Sequence, residues 1–132
     1  MKLQKIEYSD LKSRQKENYN YHKIASILAD YGYNSIWLND DWEGADFIAI
    51  HIDGNQMLKV QLKGRVTIDQ KYLGKDIYIA FSLDQTSYYL YPHDEIFELI
   101  TDHSDGAKKH GARSIHYIPK WLIPHLEKYK LA

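Results

Sequence analysis

The feature that most constrains this chain is a pair of β-rich runs, residues 45–52 and 56–68, joined by Asp53-Gly54-Asn55. A turn that short, with glycine at its centre, admits an antiparallel hairpin and little else. Side chains alternate along a strand, so Met57, Lys59, Gln61, Lys63 and Arg65 share one face of the second run, and Leu58, Val60, Leu62 and Gly64 the other. One face thus carries three cations and an amide. Across the hairpin lies the run that begins with Asp46 beside Ala45, and the fold-back lets Asp46 approach Gln61 and Lys63.

The rest of the chain supplies elements for this hairpin to pack against. Tyr21, Ile24, Leu28 and Tyr31 recur at helical spacing within residues 10–31, with Ser9 or Asp10 as cap and Gly32 as stop. One step of four further back on the same stripe is Glu17, a carboxylate that needs a partner if it is buried. Residues 34–38, 77–83 and 88–91 read as further strands, the last two separated by the polar loop 84–87. After Pro92, residues 93–101 have a helical look, with Ile96, Leu99 and Ile100 apolar, and residues 102–113 read as a loop. Pro119 suits the first position of a closing helix to about Lys130, although Pro124 would kink it or delay its start. The order is helix, three strands, connection, two strands, helix, helix. This predicts a single α/β (α+β) domain over residues 1–132, with a central mixed sheet flanked by helices.

Composition narrows the function classes. At 132 residues and 44% hydrophobic, the chain can form one packed core, and a domain of this size buries roughly two-thirds of its unfolded surface. There is no cysteine, which excludes disulfides and thiolate metal sites. No apolar run approaches the roughly 20 residues that span a bilayer, and the start MKLQKIEYSD has no apolar signal region. These features predict a soluble, cytoplasmic protein with no membrane partner. A net charge of -1 argues against a constitutive DNA coat while leaving room for a local basic face.

Phosphodiester hydrolysis calls for the residue types on that hairpin. A hard divalent cation such as Mg²⁺ takes carboxylate, amide or carbonyl oxygens. A nearby ammonium can orient water and stabilise charge on phosphorus. The stretch Gly44-Ala45-Asp46-Phe47-Ile48-Ala49 followed by Lys59-Val60-Gln61-Leu62-Lys63-Gly64-Arg65 resembles the core of the PD-(D/E)XK nuclease superfamily, the restriction-endonuclease-like fold, over roughly residues 11–81. The resemblance implies an αβββαβ core and a metal-dependent endonuclease acting on DNA with Mg²⁺ or Mn²⁺. It implies Glu17 as the helix acid, Asp46 as the metal-binding Asp, Gln61 in place of the second acid, and a ligand from the Leu62 carbonyl. Lys63 takes the place of the lysine beside the attacking water. Apart from the resemblance, Arg65, Lys71 and Lys75 flank these residues and, with Lys59 on the same strand face as Lys63, could hold DNA phosphates; ordinary surface cations are the competing reading. Gly64 reads as a position of close backbone approach. Cutting both strands from so small a domain implies a homodimer.

Two departures bear on activity. Ala45 stands where the motif has proline, and Gln61 brings an oxygen without charge, so Mg²⁺ affinity should fall unless Glu17 contributes. Two other readings therefore stand beside the nuclease: a silent binding module that kept the fold, and an immunity-type domain whose tyrosine-rich strands meet a protein partner. Asp40, Asp41 and Glu43 have the chemistry of a supplementary metal site but read more simply as a solvated loop. The histidines show no zinc spacing, and His93-Asp94 reads as polar helix-start residues rather than an oriented base. Tyr88, Tyr89 and Tyr91 read as core and rim rather than base-stacking platforms.

Overall fold

The structure is a computed structural model that describes residues 1–103 and 112–131. Its elements are α1 (Ser13–Asp30), β1 (Tyr33–Trp42), β2 (Ala45–His51), β3 (Met57–Leu62), β4 (Val66–Asp69), β5 (Ile77–Phe81), β6 (Tyr88–Pro92), α2 (His93–His103), β7 (Ala112–Ile115), α3 (Ile123–Glu127) and β8 (Lys130–Leu131). Among the described residues, six strands form one mixed sheet in the order β1-β2-β3-β5-β6-β8, and β4 pairs with β7 in a separate small sheet. The mixed sheet with flanking helices is the architecture expected from the sequence. No helix among the described residues is long and apolar enough to cross a membrane.

Helix α1 covers one face of the sheet. Its stripe buries Ile24 and Leu28 against Phe47, Ala49, Val60 and Ala80. The opposite face, with Ile77, Ile79 and Phe81, packs with α2, α3 and the small sheet around Ile96, Ile100, Leu122 and Leu126. Strand β5 contributes to both cores in alternation, as a strand buried on two faces must.

The segment expected as one long strand over residues 56–68 is two. Strand β3 stops at Leu62; β4 leaves the main sheet and pairs with β7, Thr67 opposite Ser114. Between them Lys63 still donates its amide to the Ala80 carbonyl at 3.0 Å. The crossover between the parallel strands β3 and β5 therefore runs through β4 and the 3-10 turn Gln70–Tyr72 rather than through an α-helix. Tyr91 ties β4 back to the main sheet. Its buried hydroxyl accepts the Thr67 N–H at 2.9 Å and donates to the Thr67 carbonyl at 2.7 Å.

Other boundaries also shift. Strand β1 runs on to Trp42, so Asp40 and Asp41 belong to a strand and not to a loop. It turns into β2 through Glu43 and Gly44, both at positive φ (54° and 88°), with Trp42 paired to Ala45. Two consecutive left-handed residues make the tight hairpin turn whose twist matches the strands. Part of the expected loop 102–113 lies outside the described residues; at its edges the structure has the end of α2 and the strand β7. Pro119 does not begin the closing helix. That helix is short and starts at Ile123, with Pro124 in its first turn, where a missing N–H costs nothing. Tyr88 and Tyr91 are buried, and Tyr89 stacks on Phe81, so the tyrosine strand is core and rim.

Candidate functional site

The second residue of β2 is Asp46, half-buried, and its Oδ2 accepts the Leu62 N–H at 2.8 Å. Phe47 pairs with Val60 across β2 and β3. One step further along the same antiparallel register, Asp46 stands opposite Gln61, with both side chains on one face of the sheet. The two line a cavity of about 220 Å³ together with Asp41, Lys71, Tyr72 and Lys75. Asp41 enters because the Glu43-Gly44 turn folds the end of β1 over the start of β2. Gly44 also lines this cavity, and a Cβ there would stand 3.0 Å from the Tyr72 ring.

Lys63 lines a different cavity, of about 320 Å³, with Glu17, Lys16 and Tyr8, while its ammonium lies 5.8 Å from the centre of the Tyr72 ring. Glu17 is exposed, so its place on a buried helix stripe is corrected. The stripe is fully buried at Ile24 and Leu28 and fades toward the start of α1. Glu17 nevertheless acts on Asp46 through space.

The charges explain how the site behaves. Burial pushes the Asp46 carboxyl above its usual range, and the negative charges of Glu17 and Asp41 push the same way; the Leu62 amide and the Lys63 ammonium pull it down. The Tyr72 phenol is pushed up to about 12 by burial and by Asp69, Asp46 and Asp41, so it stays neutral and can donate a hydrogen bond. A half-buried carboxylate among like charges is a place where a cation is welcome.

The described residues contain no group of three or more His, Cys, Asp or Glu side chains placed to hold a metal. The donors gathered here are two carboxylates, Asp41 and Asp46, and the Gln61 amide. That set fits Mg²⁺ or Mn²⁺, because such ions commonly keep several waters and take one or two protein carboxylates plus substrate phosphate oxygens.

The other expected cations separate. Lys71 lines the Asp46 cavity, 5.3 Å from the Tyr72 ring centre and 3.9 Å from Asp69 Oδ2. Lys59 instead pairs with Glu43 at 3.4 Å and sits over the Trp42 ring. Arg65 lies beyond the end of β3 and donates to His116 Nε2 at 2.9 Å. Lys59, Lys63 and Arg65 therefore do not share one basic patch with Lys71; Lys63 and Lys71 lie near the Tyr72 ring, and Lys71 and Lys75 line the cavity with it. A Cβ at Gly64 would meet no atom within 4 Å, so no part of this chain crowds it. Tyr72 gave no sequence signal of its own, whereas the Glu43-Gly44 pair carried a turn signal that would have placed Asp41 opposite Asp46.

No protein family and no curated protein matches the chain significantly. Among solved structures it is similar to a bacterial homing endonuclease, I-Ssp6803I, with a TM-score of 0.51 at 14% identity, over 83% of this chain and 78% of that one. At that identity the likeness is one of fold: this chain is built as that homing endonuclease is built.

Proposed function

We propose that this protein is a metal-dependent DNA phosphodiesterase of the PD-(D/E)XK type, with Gln61 in the place of the second acid. The observation that carries the reading is the shared cavity in which Asp46, Gln61 and Asp41 face Lys71 and Lys75, with the Lys63 ammonium near the Tyr72 ring that lines it. The homing endonuclease of like fold supports the same reaction class.

Asp46 and Asp41 with the Gln61 oxygen would hold the Mg²⁺ or Mn²⁺ ion, and Glu17 adds negative charge nearby. When bound, the ion supplies Lewis acidity to a phosphate oxygen and acidifies water. Lys71 and Lys75 draw the DNA backbone to the cavity mouth. The Lys63 ammonium, half-buried against Tyr72, faces the charge that grows on the phosphoryl oxygens and costs no reorganisation when it does. The neutral Tyr72 hydroxyl can donate to the same oxygens. Water oxygen adds to phosphorus and gives up a proton to solvent while the bond to the leaving sugar oxygen breaks, and that oxygen takes up a proton from solvent in turn.

A plasmid-nicking assay with Mg²⁺ and with Mn²⁺, run beside Lys63→Ala and Asp46→Asn, tests the reading. Nicking by wild type and loss in both variants is expected. A second reading, a DNA-binding module that does not cut, is favoured by the uncharged Gln61; wild type that binds DNA and never nicks it would decide for that module.

A further inference from the structure

The turn that carries Lys71 and Tyr72 is held at both ends by the first two residues of α2. His93 is fully buried, at 0% exposure. Its Nε2 accepts the Asp69 N–H at 3.0 Å, and its Nδ1 lies 2.9 Å from Asp94 Oδ1. A ring nitrogen that accepts an N–H carries no proton, so the imidazole is the neutral Nδ1–H tautomer and donates to Asp94. The second Asp94 oxygen accepts the Gly74 N–H at 3.0 Å. Between these anchors, Asp69 Oδ1 accepts the Lys71 N–H at 3.0 Å, and the Tyr72 ring stands edge-on to His93 at 5.4 Å. Polar residues at a helix start ordinarily serve their own helix. Here both Asp94 oxygens go to His93 and to the turn.

We propose that His93 and Asp94 are positioning residues that clamp the 69–74 turn, so that Lys71 and the neighbouring Lys75 present their ammonium groups to a nucleic-acid phosphodiester entering the Asp46 cavity. The proposal rests on the nuclease reading and extends it to residues outside the cavity. An unclamped turn would still carry both lysines, but they would have to be ordered on every encounter, and ordering a long side chain and its backbone opposes binding.

The sign of one substitution separates this from a structural role. Asp94→Ala removes a negative charge, which by itself would tighten DNA binding. The clamp requires the opposite. The experiment is fluorescence anisotropy of a labelled DNA duplex against salt, without divalent ions so that nothing is cut. It uses wild type, Asp94→Ala, Lys71→Ala/Lys75→Ala and the triple variant. Asp94→Ala should bind several-fold more weakly. Its salt slope should fall by about 0.9 for each DNA phosphate that the lysines cease to neutralise, and in the background lacking both lysines the loss should disappear, leaving only the slight tightening that the removed charge gives. Asp94 is 47% exposed, so this variant should fold; if it does not, Asp94→Asn keeps the shape and should show a smaller loss of the same sign. Binding as tight as wild type or tighter, or an undiminished loss without the two lysines, overturns the clamp and leaves the nuclease reading standing. A wild type that binds no DNA in this assay overturns the clamp, and one that also fails to nick DNA with Mg²⁺ or Mn²⁺ overturns the nuclease reading as well.

Discussion

Asp46 and Leu62 are joined by a carboxylate-to-amide hydrogen bond of 2.8 Å between neighbouring strands. One carboxylate oxygen is thereby committed to β3, which fixes where the other can point. Asparagine can offer the same oxygen to the same amide, so Asp46→Asn separates charge from architecture.

The raised Asp46 carboxyl has a consequence for stability. A folded-state pKa above the unfolded value means that folding favours the protonated form, and the ionised form opposes folding once pH has risen through the folded value. Metal-free Asp46→Asn should therefore melt at or above wild type at neutral pH, by on the order of a few degrees. The difference should vanish as pH falls through the carboxyl range. Thermal scans in chelator at neutral and acidic pH measure it; a variant that melts well below wild type at neutral pH would contradict the charge balance described here.

On the proposed metal site, Gln61 would set a metal preference. Two carboxylates and an amide carry less charge than three carboxylates, and Mn²⁺ stands differently from Mg²⁺ in tolerating mixed donors. Calorimetric titration should give tighter binding of Mn²⁺ than of Mg²⁺, roughly a tenfold or greater gain for Gln61→Glu, and loss of binding in Asp46→Asn. Equal ion binding by wild type and Asp46→Asn would place the metal elsewhere.

Lys63 should behave differently from the ligands. In the proposed mechanism its ammonium serves the reacting phosphate rather than the ion, so Lys63→Ala should lower the cleavage rate by roughly 10² to 10³ while leaving Mn²⁺ affinity within about threefold of wild type. Single-turnover cleavage paired with calorimetry tests the separation, and a parallel fall in both would make Lys63 a structural support of the metal site.

Gly44 meets two demands at once. Its φ is 88°, and a Cβ there would sit 3.0 Å from the Tyr72 ring. Gly44→Ala should destabilise the fold by about 1–3 kcal/mol, from left-handed strain and a displaced ring. Urea unfolding gives the number, and Tyr72 ring resonances should move with it.

The hairpin is legible in the sequence because Gly54 marks its turn, and α1 because its apolar period is clean. The break in the third strand is not, for a physical reason. Leu58, Val60, Leu62, Val66 and Ile68 keep the same even phase across Lys63-Gly64-Arg65, so the period of two runs through the break unchanged. What separates β4 from β3 is tertiary: a buried Tyr91 and a partner strand far along the chain. The place of Asp41 in the cavity is hidden for another reason. The end of β1 is an exposed sheet edge, where polar residues are tolerated and no alternation is imposed. Glu17 does continue a helical period, but periodicity says nothing of where the sheet beneath a helix ends. Asp46, Gln61 and Lys63 can be singled out because local alternation governs them, whereas Tyr72 and the clamp on its turn depend on contacts with α2.

The two bonds between the Tyr91 hydroxyl and Thr67 give β4 a fixed index mark. The Tyr91 phenol both donates to and accepts from the backbone of a single residue, and the burial of Val66 and Ile68 on either side of Thr67 favours that register over one slid along the strand. The chain counts from that mark: Asp69 comes two residues later, and the cavity-lining turn follows at once. The gauge that sets the distance from the sheet to the turn is thus a side chain of β6, and its loss would leave two backbone groups without partners in the interior.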